Sequence, residues 1–173
     1  TLSACPAICA QRRRASHWML TQLRSGIGAG AGLRATPHPS TIVANHMKSL
    51  RGVDDPKDGP AVRMKKKLQA EFLAKWVNER QKANPNERIL LVGDFNAFQF
   101  NDGLVDQIGT LKGTPAAKDA VLLASDDLVD PDLVDLVQLI NSDQQYSYTF
   151  DGGAQVLDHF LANAAMRRRS AWP

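Results

Sequence analysis

The pattern of apolar and polar residues predicts two buried strands that each end in polar side chains. Thr41-Ile42-Val43-Ala44-Asn45-His46 starts β-branched and apolar and then turns polar, as a strand leading into a loop does. Arg88-Ile89-Leu90-Leu91-Val92-Gly93 is a short continuous apolar run that ends in Asp94-Phe95-Asn96-Ala97. The polar groups that follow these strands are therefore the first candidates for a functional site.

A long helix is predicted between these strands, from about Ala61 to Lys82, and Asn84-Pro85 ends it. Apolar residues recur every four positions along it and predict one buried stripe: Met64, Leu68, Phe72 and Trp76. The run Lys65-Lys66-Lys67 is interpreted as a solvated face of this helix.

The remainder of the ordered region is predicted to be a mixed stretch followed by a β-hairpin. Residues 101–140 are expected to be helical or irregular, with the aspartates between 126 and 135 on an exposed helix face. Tyr146–Phe150 alternates as a strand does, which predicts that Tyr148 and Phe150 pack in the core. Asp151-Gly152-Gly153 is typical of a hairpin turn, and residues 155–161 should form the return strand. The order β, α, β, mixed, β-hairpin indicates an α/β (α+β) layered protein.

Charge and composition separate the ends of the chain from its middle. Residues 1–40 hold five Arg and no acid, and residues 164–173 hold three Arg, so residues 41–163 have 13 basic against 18 acidic side chains. The first segment is rich in Ala, Gly and Arg and is expected to be a disordered tail or an out-of-frame translation, and the last segment a basic tail. No membrane span and no signal peptide are visible. An acidic middle is compatible with a site for Mg²⁺, Mn²⁺ or Ca²⁺.

Gly93-Asp94-Phe95-Asn96 carries the most specific candidate chemistry. Asp94, just beyond a strand end, could hold or deprotonate water, while Asn96 donates a hydrogen bond to a phosphate oxygen. Gly93 permits a sharp backbone turn at this point. The alternative is an Asx turn that only ends the strand.

Two further elements add candidate groups. His46 and Lys48 at the first strand end would suit a dianionic transition state, although both could be ordinary loop residues. Asp158 and His159 are neighbours in a predicted strand and must point to opposite faces, so only one can join the site. We assign Asp158 to the site and His159 to the far face of the sheet.

Taken in order, these three elements resemble the endonuclease/exonuclease/phosphatase superfamily, and most of all its bacterial extracellular nucleases, relatives of pancreatic deoxyribonuclease. The resemblance covers residues 41–163 and implies a four-layered sandwich of two mixed β-sheets flanked by helices. It also implies Mg²⁺-dependent hydrolysis of a phosphodiester, with nucleic acid as substrate, and an extracellular or periplasmic location.

The resemblance also implies a role for each matching residue. Asp94 would activate the attacking water and contribute to the metal site, and Asn96 would orient the phosphate and Asp94. His46, with Lys48 beside it, would bind the phosphate through a non-bridging oxygen. Asp158 would orient a histidine that the family places further along the chain.

Two elements of the family pattern have no counterpart in this sequence. Residues 1–40 contain no Asp, Glu or Asn to match the family's early strand with its metal-binding Glu, and the late Ser-Asp-His element is missing. We therefore expect a partial domain that lacks its N-terminal half, exposes an apolar sheet face and is weakly active. The alternatives are a phosphatase or phospholipid phosphodiesterase of the same superfamily, or an inactive fragment.

Overall fold

A computed structural model of the protein describes residues 40–167, so most of the tails expected at residues 1–40 and 164–173 lies outside this range. The described residues form six strands, three α-helices and two short 3₁₀ turns. In chain order the elements are β1 (Ser40–His46), α1 (Gly59–Ala83), β2 (Arg88–Asp94), α2 (Gln107–Lys112), β3 (Val134–Asp135), 3₁₀ turns at Leu136–Leu139 and Ser142–Gln144, β4 (Tyr148–Phe150), β5 (Gly153–Gln155), β6 (Asp158–Ala162) and α3 (Ala164–Arg167).

The central sheet is mixed and has the order β1-β2-β6-β3. β1 and β2 are parallel, which requires a crossover connection, and α1 provides it. β6 runs antiparallel to β2 on one side and to β3 on the other. β4 and β5 form a separate two-stranded ribbon. The predicted α+β class with a mixed sheet is therefore confirmed.

The core lies between one face of this sheet and α1. Val43, Leu91 and Leu161 occupy the central row of that face and are fully buried. They share one hydrophobic cluster with the small and aliphatic residues of the helix, namely Ala70, Leu73, Ala74 and Val77. This face of the sheet is thus a packed interior surface.

The predicted helix is confirmed, with bounds one or two residues beyond those expected, but its buried stripe was predicted wrongly. Met64 is 44% exposed and Leu68 is 56% exposed, while Phe72 and Trp76 are only half-buried. The stripe through Ala70 and Leu73 faces the core instead. Within residues 40–167 no helix is both long and apolar enough to cross a bilayer.

The opposite face of the sheet is apolar and only half-covered. Its side chains come from alternate positions of the same strands, in the rows Ile42–Leu90–Ala162 and Ala44–Val92–Phe160. Ala44 is exposed, and Phe160 is 48% exposed. The expected open apolar sheet face is therefore present among the described residues.

The ribbon of β4 and β5 differs in part from its prediction. The turn at Asp151-Gly152 forms, with positive φ values of 48° and 78° at these residues. The expectation that Tyr148 and Phe150 pack in the core was wrong, since they are 49% and 62% exposed. The ribbon leaves the main sheet because the predicted return strand breaks at Val156, so that β5 and β6 are separate strands.

The aspartates between 126 and 135 do not form the exposed helix face that was predicted. The described part of residues 101–140 contains one short α-helix, α2, and is otherwise irregular apart from β3 and a 3₁₀ turn. Asp135 lies in β3 and is fully buried, whereas Asp126 and Asp127 are exposed.

Asp135 is buried because it pairs with His159, which lies on the core face as predicted. The Asp135 Oδ2 is 2.7 Å from His159 Nδ1, and the carbonyl oxygen of Ala97 is 2.8 Å from His159 Nε2. Both ring nitrogens of His159 therefore have hydrogen-bond partners inside the core. The ring of Phe95 packs edge-on against it at 5.7 Å between centroids.

We expect Asp135→Ala to lower the free energy of unfolding by about 3 kcal/mol, because it leaves a buried ring nitrogen of His159 without its hydrogen-bond partner and opens a cavity beside it. Urea unfolding followed by circular dichroism measures this loss. Asp126→Ala serves as the control, because Asp126 forms only an exposed ion pair with Lys118 at 3.6 Å. The control should lose less than about 1 kcal/mol. Equal losses in the two variants would contradict a stabilising contact between Asp135 and His159.

Candidate active site at the ends of three strands

Three of the predicted site residues lie in one row across the central sheet. His46 is the register partner of Asp94 in β1 and β2, and Asp94 is the register partner of Asp158 in β2 and β6. Register partners project to the same face of a sheet. We call His46, Asp94 and Asp158 the site row, and it lies at the end of the half-covered face.

The His46 imidazole and the Asp94 carboxylate are close to each other in the site row. His46 Nε2 is 3.6 Å from Asp94 Oδ2, and the side chains are 79% and 38% exposed. This distance is too long for a direct hydrogen bond, but the two groups can share a water molecule or a ligand oxygen. The pair therefore faces solvent and is accessible to a substrate.

The turn after β2 orients the Asp94 carboxylate. Asp94 Oδ1 accepts a hydrogen bond of 2.8 Å from the backbone N–H of Asn96, which has a left-handed φ of 49°. The Asx turn considered as the alternative from sequence therefore does form. The turn uses Oδ1 of Asp94 and leaves Oδ2 on the side of His46. Formation of the turn therefore does not prevent Asp94 from taking part in a site.

Gly93 is needed where β1 and β2 approach each other. Its φ is +122°, and a Cβ at this position would overlap the carbonyl oxygen of Asn45. Only glycine combines this backbone conformation with this contact. The close approach places His46 and Asp94 side by side.

The Asn96 amide connects the two loops rather than pointing into open space. Asn96 Nδ2 donates to the carbonyl oxygen of Met47 at 3.2 Å, so the side chain spans from the β2 loop to the β1 loop. The backbone N–H of Met47 in turn donates to the carbonyl oxygen of Asp94 at 2.9 Å. The predicted contact of Asn96 with phosphate stays a prediction.

The Lys48 ammonium is directed to its own loop. Its Nζ donates to the carbonyl oxygen and hydroxyl of Ser49, at 3.2 and 3.1 Å, and to the carbonyl oxygen of Arg51 at 3.3 Å. A phosphate contact by Lys48 would exchange these weak exposed bonds for an ionic one.

Lys66 is a site-related residue that the sequence reading missed. It was predicted to lie on a solvated helix face, and that was wrong: it is only 1% exposed. Its Nζ donates to the carbonyl oxygen of Asn96 at 2.7 Å and to that of Lys48 at 3.1 Å. Burial lowers the pKa of Lys66 from 10.5 to about 8, although Asp102 and Asp94 raise it in part.

A helical spacing could have identified Lys66. Positions 66, 70, 73, 77 and 81 follow the three- and four-residue steps of one helix face, and all five are buried. This face carries a lysine at one end and a glutamine at the other, with small and aliphatic residues between. The four-residue recurrence of larger apolar residues was the more conspicuous pattern and pointed to the wrong stripe.

The described residues do not fit the expected magnesium site. Within residues 40–167 no group of three or more His, Cys, Asp or Glu side chains could hold a metal ion. Asp94, the expected ligand, has one oxygen bonded to Asn96. Mg²⁺ demands near-octahedral oxygen coordination. The expected role of Asp94 as a metal ligand stays a prediction, and the chemistry below rests on the protein groups alone.

A shallow cleft extends from Asp158 along the half-covered face. Apolar and aromatic side chains line it beside the carboxylate, among them Val137, Ile140, Tyr146, Val156 and Phe160. Tyr146 and Phe160 are 60% and 48% exposed. The site row therefore adjoins a surface that can contact an aromatic or aliphatic group.

We expect Gly93→Ala to lower the free energy of unfolding by about 3 kcal/mol, because it adds both a disfavoured φ and an overlap with β1. Gly103→Ala is the matched control. Gly103 also has a positive φ, +80°, but no atom lies within 4 Å of the place that an added Cβ would occupy. This control should lose about 1 kcal/mol. Thermal or urea unfolding measures both, and equal losses would show that the overlap with Asn45 is relieved without cost.

The pKa of Lys66 also predicts how stability depends on pH. Because the pKa is about 8 in the folded protein and 10.5 ordinarily, the unfolded chain binds more protons between these values. Stability contributed by this group therefore rises with pH in that window, by about 2 kcal/mol between pH 7.5 and 9.5.

Urea unfolding of the wild type and of Lys66→Met at both pH values measures this rise. Subtracting the free energy of unfolding of the variant from that of the wild type at each pH removes the contribution of the other titrating groups. A wild-type curve that parallels the variant curve would contradict the lowered pKa.

Comparisons with known proteins give one structural likeness. Neither a scan against models of protein families nor a search of curated proteins gives a match. Among solved structures, the chain is similar to truncated TDP2 of Caenorhabditis elegans, with 17% identity and a TM-score of 0.41. The likeness covers 72% of this chain and 40% of the TDP2 chain, so this chain spans less than half of that structure. Likeness at this level does not establish the family of the chain.

Proposed function

We propose that the chain belongs by descent to the endonuclease/exonuclease/phosphatase superfamily and hydrolyses phosphodiesters, with nucleic acid as the substrate. The observation that carries this proposal is the site row, in which register brings an imidazole and two carboxylates onto one face of the sheet. The three residues come from sequence positions 46, 94 and 158, and their placement in one row supports a common site.

Asp94 is the group best placed to activate water. Its Oδ1 is fixed by the Asn96 N–H, and its Oδ2 lies on the open side of the site row. In the proposed reaction, a water oxygen attacks phosphorus, Asp94 takes the proton, and the bond from phosphorus to the leaving oxygen breaks. The leaving oxygen then takes a proton from solvent.

His46 supports the charge that develops on the phosphate. The imidazole is mostly exposed and is 3.6 Å from Asp94, so a phosphate oxygen can lie beside it while water lies beside the carboxylate. A protonated His46 donates to a non-bridging oxygen and stabilises the transition state. Asp158 is next in the row. In the role that the resemblance implies, it would orient a histidine that the family places further along the chain.

Local contacts rather than overall charge would hold a nucleic acid here. The middle of the chain is acidic, which gives no long-range attraction for phosphate backbones. The cleft beside Asp158 instead exposes Tyr146 and Phe160, on which unstacked bases can lie. This favours a single-stranded or frayed segment over an intact duplex.

We expect purified chain to nick supercoiled plasmid slowly in a buffer that contains Mg²⁺ or Mn²⁺. Asp94→Asn should lower the rate by about a hundredfold or more, because its amide keeps the hydrogen bond to Asn96 but cannot take a proton. Asp126→Asn, an exposed substitution remote from the site row, is the matched control and should retain the wild-type rate. Gel electrophoresis measures the nicked fraction.

A parallel panel distinguishes nuclease activity from the related activities. RNA, sphingomyelin and a phosphomonoester are offered under the same conditions. Hydrolysis of sphingomyelin or the monoester, without cleavage of nucleic acid, would replace the proposed substrate with a lipid or small ester. Failure to hydrolyse any of the four substrates, or equal rates in the wild type and Asp94→Asn, would overturn the proposed function.

A further inference from the structure

We infer that Lys66 is a positioning residue that holds the two loops of the site row in their relative places. The inference rests on the proposed function for its catalytic meaning. Its structural content is that one buried ammonium group fixes both the loop after β1 and the loop after β2.

The contacts of Lys66 join three separate segments of the chain. Its Nζ, carried by α1, donates to the carbonyl oxygens of Lys48 and Asn96, which lie 18 and 30 positions away in sequence. Lys48 is two residues from His46, and Asn96 is two residues from Asp94. Movement of the ammonium would therefore change the separation of the two site-row side chains.

Neighbouring glutamines complete the same buried connection. Gln69 Oε1 accepts from the backbone N–H of Lys48 at 2.9 Å. Gln107 Nε2 donates to the carbonyl oxygen of Lys66 at 3.2 Å and contacts the sulfur of Met47 at 3.4 Å. The β1 loop is thus attached to α1 through polar side chains at more than one position.

The partners of Lys66 argue for positioning rather than for stability alone. In the described part of the chain, no carboxylate lies within ion-pair distance of its ammonium, and both partners are carbonyl oxygens of the two site loops. Burying a cation without a paired anion is costly, and an apolar side chain of similar length would avoid that cost. A buried lysine at this position is explained if its function is to hold the loops after β1 and β2 in their relative positions.

The test compares four variants of the full chain. Lys66→Met removes the donor and keeps the length, and Lys66→Arg restores a cationic donor. Lys65→Met removes an exposed neighbouring lysine. Gln81→Ala controls for destabilisation, because it removes a buried bond of 2.8 Å from α1 to the carbonyl oxygen of Pro131, far along the same helix.

Hydrogen exchange gives a readout that does not depend on activity. In Lys66→Met, we expect the amides of residues 47–48 and 95–96 to exchange roughly tenfold faster, while those of Ile89 and Leu91 in the core keep their rates. A rise spread evenly over the sheet, as expected for Gln81→Ala, or no rise in either loop, would overturn the inference.

Kinetics then tests the catalytic consequence. We expect kcat of Lys66→Met to fall roughly tenfold or more with little change in KM, because the site-row groups are misplaced while substrate contacts persist. Lys66→Arg should recover part of this loss, and Lys65→Met should match the wild type. Equal kcat losses in Lys66→Met and Gln81→Ala would overturn the inference by tying activity to stability alone.

The two proposals can fail separately. If the wild type hydrolyses none of the substrates, the proposed function is lost, and the exchange rates of the two loops still decide whether Lys66 positions them. If Asp94→Asn abolishes activity while Lys66→Met changes neither exchange nor kcat, the hydrolase survives and the positioning role does not.

Discussion

The close approach of the β1 and β2 backbones at Gly93 and Asn45 is the constraint on which the site depends. It is possible only because residue 93 has no Cβ and a φ of +122°. It brings the ends of two parallel strands into one register, so that His46 and Asp94 face each other. β6 then extends the same row to Asp158 on the other side. A change in this contact would move all of the candidate chemistry at once.

The loop after β2 is held from both sides by buried polar side chains. Lys66 from α1 donates to the carbonyl oxygen of Asn96, and His159 from β6 donates to that of Ala97. Two successive peptide groups are therefore fixed by two different elements of the fold. Each of these two side chains has a further polar partner, Asp135 for the imidazole of His159 and the β1 loop for the ammonium of Lys66. The position of Asp94 thus reflects the packing of the whole core face.

The sequence predicted the features that depend on local pattern. The strands ending at His46 and Asp94, the long helix between them and the Asp151-Gly152 turn all follow from periodicity or turn chemistry, and the structure has them. Tertiary contacts decided the rest. Lys66 and Asp135 were predicted to be surface charges, because their partners come from segments distant in sequence. Tyr148 and Phe150 were predicted to be core residues, because no local sequence pattern shows that the ribbon of β4 and β5 is separate from the main sheet. The metal site, the substrate and the roles of the site row stay predictions, since sequence pattern and strand register place side chains together but do not determine what binds to them.

The order of strands has a consequence for how firmly His46 and Asp94 are held. In the sheet formed by the described residues, β1 is an edge strand with β2 as its one neighbour, whereas Asp94 lies on an interior strand. Edge strands fray at lower free-energy cost than interior ones. The imidazole is therefore carried by the strand that frays at the lower free-energy cost, and the carboxylate by a strand that is paired on both sides.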